Sequence, residues 1–327
     1  MQLSSFSKRS SPAQLCLAVV ALLGTCDVPL RAESPAVETS PLRLERLTFD
    51  GRFKQRPAWS SDGTRLVYAA HAGEGISLYV LVVGDDGDEA SEPARLGDRL
   101  KPEFDAVWQP DGGRLAFTLD QHSPNQGDLE IYTMAADGSD PRPLAVTEGK
   151  LSHEEYAAYA PDGKRIAYTS TRDENQELYV VAADGNGARR LTNDPALDMH
   201  PAWSPAGDRI AFATNRWGDL ELAVIDPESG EITRLTTSPG LDDYPVWSPD
   251  GERLAFVSNR TGNFEIFVRH LPTGETVNLT AHPAIETYPA WTPDGRLTFV
   301  SNRDAGFDIY AETRDNDFTS GPETSAP

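Results

Sequence analysis

Residues 245–260 read Pro-Val-Trp-Ser-Pro-Asp-Gly-Glu-Arg-Leu-Ala-Phe-Val-Ser-Asn-Arg, and related segments recur along the chain of 327 residues. Each copy starts at an aromatic anchor, which a glycine turn (usually Asp-Gly) soon follows. The anchors are Trp59, Trp108, Tyr159, Trp203, Trp247 and Trp291. Successive anchors lie 49, 51, 44, 44 and 44 residues apart. A period near 44 is typical of four-stranded propeller blades, and the 3.6-residue apolar period of helical repeats is not visible.

Each repeat reads as four short strands. The anchor segment is the first, and the glycine after it tolerates the positive φ of a tight turn. In the fifth repeat two alternating segments follow, 253–257 and 265–268, and a last one ends in Leu279-Thr280. Period-two alternation bounded by Gly, Pro and Asp is the signature of β-strands. We therefore expect an all-β fold made of six four-stranded antiparallel blades.

The two ends of the repeat array predict how the ring closes. A segment that ends in Leu47-Thr48 precedes the first anchor, whereas the sixth repeat stops after 307–310 without a Leu-Thr segment of its own. We expect this N-terminal strand to complete the sixth blade, because closure removes open sheet edges that would promote aggregation. The predicted six-bladed β-propeller spans 42–313, and the polar residues 314–327 are expected to form a disordered tail.

Composition excludes several classes of function. The chain has 51 Asp and Glu residues against 29 Lys and Arg residues, which is a formal net charge of −22. Because phosphate binding needs clustered positive charge, neither nucleic acid nor an anionic membrane surface is an expected partner. Two cysteines are too few for a disulfide framework or a four-cysteine zinc site. We expect an acidic, soluble monomer.

The N-terminus predicts export. Lys8 and Arg9 precede an apolar run over 15–23, which is the pattern of a secretory signal. The run is too short to span a bilayer, and no later stretch is apolar enough to form a transmembrane segment. We predict a signal peptide over 1–32 that is cleaved after Ala32, so that the mature protein is periplasmic or secreted.

Two further features of this region matter for localisation. Residues 33–41 are polar and rich in proline and serine, and we expect them to form a short flexible linker. Cys26 follows Leu23-Gly24-Thr25, so lipid attachment at this cysteine is the alternative to soluble export. In that case the protein would be anchored to the cell envelope.

The repeat resembles that of the TolB family of WD-repeat-like propellers. The shared pattern is x-Pro-x-Trp-Ser-Pro-Asp-Gly-x-Arg-Ile/Leu-Ala-Phe-x-Ser-x-Arg, with Glu-Ile/Leu-Tyr and a final Leu-Thr, over about 270 residues. The resemblance implies an exported six-bladed propeller. TolB proteins belong to the system that links the inner membrane to the outer-membrane lipoprotein Pal, and they carry an α/β domain before the propeller. Only about ten residues separate the predicted signal from the first strand, so that domain is expected to be missing here.

Acidic residues recur five positions before the anchors, where the chain enters the innermost strand of each blade. This position holds Lys54, Glu103, Glu154, Asp198, Asp242 and Glu286. Because inner strands surround the channel of a propeller, we expect a rim of five acids and one lysine. Converging carboxylates attract a divalent cation, a basic peptide or a lysine of a partner. The alternative is that each side chain caps its own loop through backbone N–H groups.

A second set stands three positions before the anchors. It consists of Arg56, Asp105, Tyr156, His200, Tyr244 and Tyr288. Varied and aromatic residues are typical of a binding surface, so we expect this set to determine specificity at the channel mouth. Packing is the alternative, above all for the Tyr-Pro pairs that start at Tyr244 and Tyr288.

Other repeated residues have structural interpretations. We expect the tryptophan anchors to pack as wedges between blades. Four arginines recur five residues before an acid, and we expect each arginine to pair with that acid inside its blade. These pairs are Arg172 with Glu177, Arg216 with Glu221, Arg260 with Glu265 and Arg303 with Asp308.

One combination of residues suggests a metal. His153 and Glu154 precede the third anchor, and Asp198 and His200 precede the fourth, so neighbouring blades could bring all four together. Histidine with carboxylate suits a transition metal. Propeller lyases with similar repeats, such as the oligogalacturonate lyase-like proteins, use a histidine-rich cluster in the channel. Hydrolase chemistry lacks support, since the chain has no Gly-x-Ser-x-Gly motif and no second domain is predicted.

These observations favour a non-enzymatic scaffold. We expect an exported propeller of the bacterial periplasm or cell envelope that binds a protein or peptide at the channel mouth, and the acidic rim favours a basic one. It needs no cofactor, apart from a possible divalent cation at the rim. The alternative is a metal-dependent lyase, or a glycan-binding or glycan-processing propeller, with its site in the channel.

Overall fold

The computed structural model describes residues 42–73, 75–84, 91–97, 101–121, 129–144 and 152–313. The predicted signal peptide (1–32), linker (33–41) and tail (314–327) lie outside these residues. No helix in the described parts of the chain has the length and hydropathy needed to cross a membrane.

The strands form six sheets of four antiparallel strands, one for each repeat. Blades 1 and 2 contain β2 (Lys54–Trp59), β3 (Arg65–Ala72), β4 (Gly75–Val82), β5 (Ala94–Arg95), β6 (Glu103–Trp108), β7 (Arg114–Asp120), β8 (Leu129–Ala135) and β9 (Arg142–Pro143). Blades 3 and 4 contain β10 (Glu154–Tyr159), β11 (Arg165–Ser170), β12 (Glu177–Ala182), β13 (Arg189–Arg190), β14 (Asp198–Trp203), β15 (Ile210–Thr214), β16 (Glu221–Ile225) and β17 (Ile232–Arg234). Blades 5 and 6 contain β18 (Asp242–Trp247), β19 (Arg253–Ser258), β20 (Glu265–His270), β21 (Thr276–Asn278), β22 (Glu286–Trp291), β23 (Leu297–Ser301) and β24 (Asp308–Glu312).

The ring closes as the sequence predicts. Strand β1 (Leu44–Arg46) pairs antiparallel with β24 and so becomes the fourth strand of blade 6. The inner strand of each blade contacts the inner strands of both neighbours, and β2 contacts both β6 and β22. The expected six-bladed β-propeller with an N-terminal closing strand is therefore confirmed.

The core lies between the blades rather than within one of them. In β3, Leu66, Tyr68 and Ala70 pack against blade 6, while Val67 and Ala69 pack against blade 2. The same alternation gives one apolar cluster at each of the six blade interfaces. Both faces of a blade are therefore buried, which explains why the second strands are almost continuously apolar.

The anchors pack as wedges between blades, as expected. Trp108 and Trp203 are buried, and the indole N–H of Trp108 donates to the carbonyl of Ala58 in the preceding blade at 3.0 Å. Trp247 and Trp291 make the corresponding bond at 3.1 and 3.2 Å. These three bonds orient a blade on its neighbour, whereas the buried N–H group of Trp203 has no partner among the described residues.

The repeated Leu-Thr pair lies just after the fourth strand and caps it. In blade 5 the strand ends at Asn278, and the Thr280 hydroxyl accepts a hydrogen bond from the Ile266 amide at 3.0 Å. The hydroxyl also donates to Glu265, the first residue of β20, at 2.6 Å. A threonine hydroxyl thus replaces the backbone acceptor that a longer strand would supply.

Thr48 repeats this arrangement at the junction of the ring. Its hydroxyl accepts from the Ile309 amide at 3.0 Å and donates to Asp308 at 2.8 Å, although the residues are 260 or more positions apart. Asp308 also accepts hydrogen bonds from Arg46 at 2.6 Å and from Lys54 at 2.9 Å. Burial disfavours the charge of Asp308, but these bonds hold its pKa below the usual value. One carboxylate therefore joins β1, blade 6 and blade 1.

Candidate functional site

A β-bulge interrupts the inner strand of every blade at the same place. In blade 3, the four residues from Glu155 to Ala158 face only three residues of β11, and the other inner strands show the same shift. The residue three positions before the anchor has a positive φ in all six blades, between 43° and 59°. A bulge re-aims side chains locally. It therefore separates the residues five positions before the anchor from those three positions before it.

The residues five positions before the anchor, here called the outer set, lie inside the blades. Lys54, Glu103, Glu154, Asp198, Asp242 and Glu286 are all at most 1% exposed. Asp198 accepts two hydrogen bonds from Arg216 at 2.7 and 2.9 Å, and Asp242 accepts two from Arg260 at 2.8 Å. Each of these arginines also donates through Nε to the hydroxyl of Thr214 or Ser258. In each pair, the arginine and all these hydrogen-bond partners belong to the same blade.

The same pairing occurs in two more blades, with Glu154 and Arg172 at 3.5 Å and Glu286 and Arg303 at 3.0 Å. Blade 1 reverses the charge, since Lys54 bonds to Asp308, to Asp50 and to the carbonyl of Phe307 at 3.1 Å. The outer set is therefore a buried structural element. The expectation of an accessible acidic rim is not met, because these carboxylates do not reach the channel mouth.

The arginine pairing also differs from the sequence interpretation. The arginines do pair within their blades, but with the outer set rather than with Glu177, Glu221, Glu265 and Asp308. Glu177 and Glu221 instead accept from Arg190 and Arg234 of the fourth strand, at 2.7 and 2.8 Å. The connection after the second strand turns each arginine back toward the inner strand, which spacing along the sequence cannot show.

The residues three positions before the anchor meet at the centre of the ring, and we call them the axial plug: Arg56, Asp105, Tyr156, His200, Tyr244 and Tyr288. The guanidinium of Arg56 lies 5.2 Å from the ring centroid of Tyr156, although blades 1 and 3 are not neighbours. Only side chains at the axis can make such a contact. The sequence set that was expected to face the channel therefore does converge there.

Ring contacts continue the plug around the axis. The centroids of Tyr156 and His200 lie 4.2 Å apart, those of His200 and Tyr244 lie 4.1 Å apart, and those of Tyr244 and Tyr288 lie 4.9 Å apart. Asp105, Tyr156, His200 and Tyr288 are buried. The plug thus fills the middle of the channel.

Two acids that the sequence analysis did not select complete the polar part of the plug. They stand four positions before the anchor: Asp243 lies 2.5 Å from His200 Nδ1, and Glu155 is 1% exposed. Burial, together with the charges of Asp105 and Glu154, raises the pKa of Glu155 to about 8. Burial also raises the pKa of Asp105, against the pull of Arg56 and His200. The signal that the sequence offered for these two residues is a pair of adjacent acids, at 154–155 and at 242–243. Simple strand alternation, however, places the second acid of each pair away from the channel.

A pocket of about 200 Å³ lies beside the plug. Its walls are formed largely by inner-strand residues that follow the plug position and lead up to the anchor. The pocket therefore lies on the face of the ring that carries the turns between first and second strands. Arg56, His200, Tyr244 and Tyr288 of the plug line it. The other lining residues are Pro57, Ala58, Trp59, Ala106, Val107, Pro245, Val246, Pro289, Ala290 and Trp291. We call this the mouth pocket.

The four residues suggested for a metal are not assembled. Glu154 and Asp198 are bound by arginines of their own blades, and His200 faces Asp243. Across the described residues, no group of three or more His, Cys, Asp or Glu side chains is placed to hold a metal ion. The expectation that His153, Glu154, Asp198 and His200 share a metal is therefore not met, because the bulge sends His200 to the axis while the two acids stay inside their blades.

Comparison with known proteins agrees with this architecture. The Tol-Pal system protein TolB of Anaeromyxobacter dehalogenans (strain 2CP-C) is 33% identical over 123 residues, which are 37% of this chain and 26% of that protein. The matched part thus spans about a quarter of the relative's length.

Two solved structures share the fold. A putative TolB from Agrobacterium tumefaciens superposes with a TM-score of 0.62 at 22% identity, over 80% of this chain and 90% of that one. An oligogalacturonate lyase in complex with manganese superposes with a TM-score of 0.58 at 14% identity, over 88% of this chain and 96% of that one. At such identities the likeness concerns the fold alone.

The repeats themselves decide the family. The family model described as the TolB beta propeller domain matches residues 150–244 and 223–320, together just over half of the chain. These segments cover the blades in which the anchor, the outer acid and its arginine recur most regularly. The chain therefore belongs to the TolB beta propeller domain family.

Proposed function

We propose that this chain is an exported propeller that binds a protein or a peptide in the mouth pocket. The observation that carries the proposal is the pocket itself, whose mostly apolar walls also include the side chains of Arg56 and His200. Tryptophan, tyrosine and arginine are the residues that dominate binding energy at protein interfaces. Binding sites in general are concave and mostly apolar, with a few polar groups that orient the ligand.

The plug supports a recognition role rather than passage through the channel. Its side chains contact one another across the axis, so a segment that enters the mouth pocket reaches a floor formed by His200, Tyr244 and Tyr288. A rigid floor limits how far a ligand can enter and so favours the end of a chain or the tip of a loop. The relatives named as Tol-Pal system proteins are consistent with a partner protein.

The N-terminus supports a place of action outside the cytoplasm. Lys8, Arg9 and the apolar run over 15–23 support export to the periplasm or the cell envelope. Fractionation of cells that make the full chain tests this, with Cys26→Ser as the matched variant. Release of both proteins by osmotic shock supports soluble export, and release of the variant alone supports lipid anchoring. Retention of both in the cytoplasm contradicts export.

Site-specific cross-linking tests the binding site. We would place the photoreactive residue p-benzoylphenylalanine at Val246, which lines the mouth pocket, and at Val277, which is 37% exposed on the outer strand of the same blade. Irradiation in living cells is expected to produce a discrete adduct from position 246 and none from position 277. Equal adducts from both positions, or none from position 246, would contradict a partner in the pocket.

A further inference from the structure

Arg56 differs from the other arginines of the inner half of the propeller. Arg216, for comparison, donates to both carboxylate oxygens of Asp198 and to the hydroxyl of Thr214. The side chain of Arg56 donates no hydrogen bond to any residue that the structure describes. Its charged neighbour is Asp105, whose Oδ1 lies 3.7 Å from Nη1, beyond hydrogen-bonding distance. A guanidinium has five N–H donors, and none of those of Arg56 bonds to a residue that the structure describes.

The position of Arg56 is nevertheless well defined. Its φ of 43° belongs to the bulge of β2, and its guanidinium lies 5.2 Å from the ring centroid of Tyr156. The side chain is 18% exposed, and Nη1 is buried without a hydrogen-bond partner among the described residues. Such a buried donor requires an explanation, because most buried polar groups are bonded to protein, water or ligand.

The surroundings of Arg56 suit an anion. Arg56 lines a pocket whose other walls include Pro57, Trp59, Pro245 and Trp291, and a ligand that fills this pocket displaces water from it. A charge-assisted hydrogen bond is stronger in a site from which water is excluded. The planar fork of arginine matches a carboxylate, which it can bind through two parallel hydrogen bonds.

The acids of the plug do not abolish the preference of the Arg56 site for an anion. Burial and the charges of Asp105 and Glu154 raise the pKa of Glu155 to about 8, against the opposite effect of Arg56 itself. Asp243 faces the imidazole of His200 rather than Arg56. Asp105 remains as a counter-charge at 3.7 Å, and it leaves the donors of Arg56 unoccupied. The acids of the outer set, which suggested a basic partner, are all buried, and four of them (Glu154, Asp198, Asp242 and Glu286) are paired with arginines of their own blades.

We propose that Arg56 anchors a carboxylate of the ligand, and that this carboxylate is the C-terminus of a peptide whose last side chain is apolar. The inference rests on the proposed function and specifies the chemistry of its ligand. A volume of about 200 Å³ is below the 300–1,000 Å³ of sites for drug-sized ligands, so it suits a single residue. An apolar side chain can pack on the prolines and tryptophans while the terminal carboxylate reaches Arg56. An Asp or Glu side chain offers the same chemistry and is the second source to test.

Three short peptides distinguish the sources. They are acetyl-Ala-Pro-Phe with a free carboxylate, the same peptide as its C-terminal amide, and acetyl-Ala-Pro-Glu as its C-terminal amide. Calorimetric titration gives the affinity of the purified protein for each, and quenching of the pocket residues Trp59 and Trp291 reports the place of binding. We expect the free acid to bind more tightly than its amide. Tighter binding of the Glu amide would make an acidic side chain the source and contradict the C-terminal assignment.

Two substitutions test the anchor. Arg56→Gln removes the charge and is expected to weaken binding of the free acid on the order of 10- to 100-fold, which is the usual effect of losing a charged hydrogen bond. Arg56→Lys keeps the charge without the planar fork, so we expect an intermediate loss of affinity for the free acid. If the glutamine variant does not fold, the lysine variant takes its place in the test. Arg142→Gln is the control, because Arg142 pairs with Asp140 on the exterior of blade 2.

The outcomes separate this inference from the proposed function. Unchanged affinity in Arg56→Gln, equal binding of acid and amide, or no binding of any peptide would overturn the carboxylate anchor. A specific adduct at Val246 would still support a partner in the pocket in each of those cases. Conversely, peptide binding that depends on Arg56 without any adduct at Val246 would support the anchor and contradict a protein partner in cells.

Discussion

The outer set and the axial plug lie two residues apart on the same six strands, yet they have different environments. Asp242 is buried in its blade and bonded twice by Arg260, whereas Tyr244 contacts His200 and Tyr288 at the axis. The bulge between them accounts for the difference, because its positive φ turns one side chain out of the blade and toward the axis. A single irregularity thus separates residues that stabilise the fold from residues that can meet a ligand.

Substitution in the outer set is expected to have the largest effect on stability. Asp242→Ala removes the carboxylate that pairs with Arg260, whose side chain is only 19% exposed. The guanidinium charge would then be largely buried without its partner. We expect the free energy of unfolding to fall by about 3–5 kcal/mol, as for other broken buried pairs. Urea unfolding followed by circular dichroism measures this. Glu252→Ala, at an exposed position of the same blade, should change stability by less than about 0.5 kcal/mol, and an equal loss in both variants would contradict the buried-pair interpretation.

The plug is expected to make stability fall as pH rises. The pKa of Glu155 is raised from 4.5 to about 8, so folded protein holds a proton that unfolded chain releases. The resulting stabilisation is complete below pH 4.5 and is lost as pH rises through 8. Relative to Glu155→Gln, the native protein should lose on the order of a few kcal/mol across this interval. Unfolding curves over that pH range measure the difference, and Glu275→Gln, at an exposed site, is the control. Parallel curves for the native protein and Glu155→Gln would contradict a buried, protonated Glu155.

The ring closure should be less sensitive to substitution. Lys54→Met keeps the aliphatic stem but removes the ammonium group from Asp308, which still accepts from Arg46 and Thr48. We expect a loss of about 1–3 kcal/mol in the free energy of unfolding, close to that of one charged hydrogen bond. The exposed Lys164→Met is the matched control. A loss as large as that of Asp242→Ala would mean that Lys54 carries the closure alone.

The smallest effect on stability is expected for Arg56→Gln. This side chain donates no hydrogen bond to a described residue, its ion pair with Asp105 is long at 3.7 Å, and burial raises the pKa of that carboxyl. We expect the unfolding free energy to change by less than about 1 kcal/mol, even though binding of a carboxylate ligand should fall strongly. A loss comparable to that of Asp242→Ala, seen in the same urea experiment, would show that Arg56 is a structural residue.

The sequence allowed the fold to be predicted in detail and the site only in outline. Blade number, strand order and closure by the N-terminal strand follow from the equal spacing of the last four anchors and the position of Leu47-Thr48. The set from Arg56 to Tyr288 meets at the axis of the ring, and its role in specificity stays a prediction. The acids at the outer position were expected there too, because regular alternation puts residues two apart on the same side of a strand.

Two residues could not be assigned from the sequence for the same reason. Glu155 and Asp243 belong to the plug region. Each stands between a residue of the outer set and a residue of the axial plug, and regular alternation would place it on the opposite face of the strand from both. Only the bulge, which adds one residue to each inner strand, explains why they lie against Asp105 and His200. Nothing in the repeat pattern marks an extra residue that is present in all six copies.

The sequence by itself determined the six blades, the wedge positions of the tryptophans and the order in which the ring closes, because periodic apolar residues and turn glycines act locally and repeat. The tertiary structure decided which charges are satisfied. The carboxylate of Asp242 is bonded by an arginine of its own blade. The guanidinium of Arg56, in contrast, has no hydrogen-bond partner among the described residues. This difference depends on distances between strands that are far apart in the chain. Coulomb and hydrogen-bond energies vary steeply with such distances and with burial, and neither is encoded in spacing along the sequence.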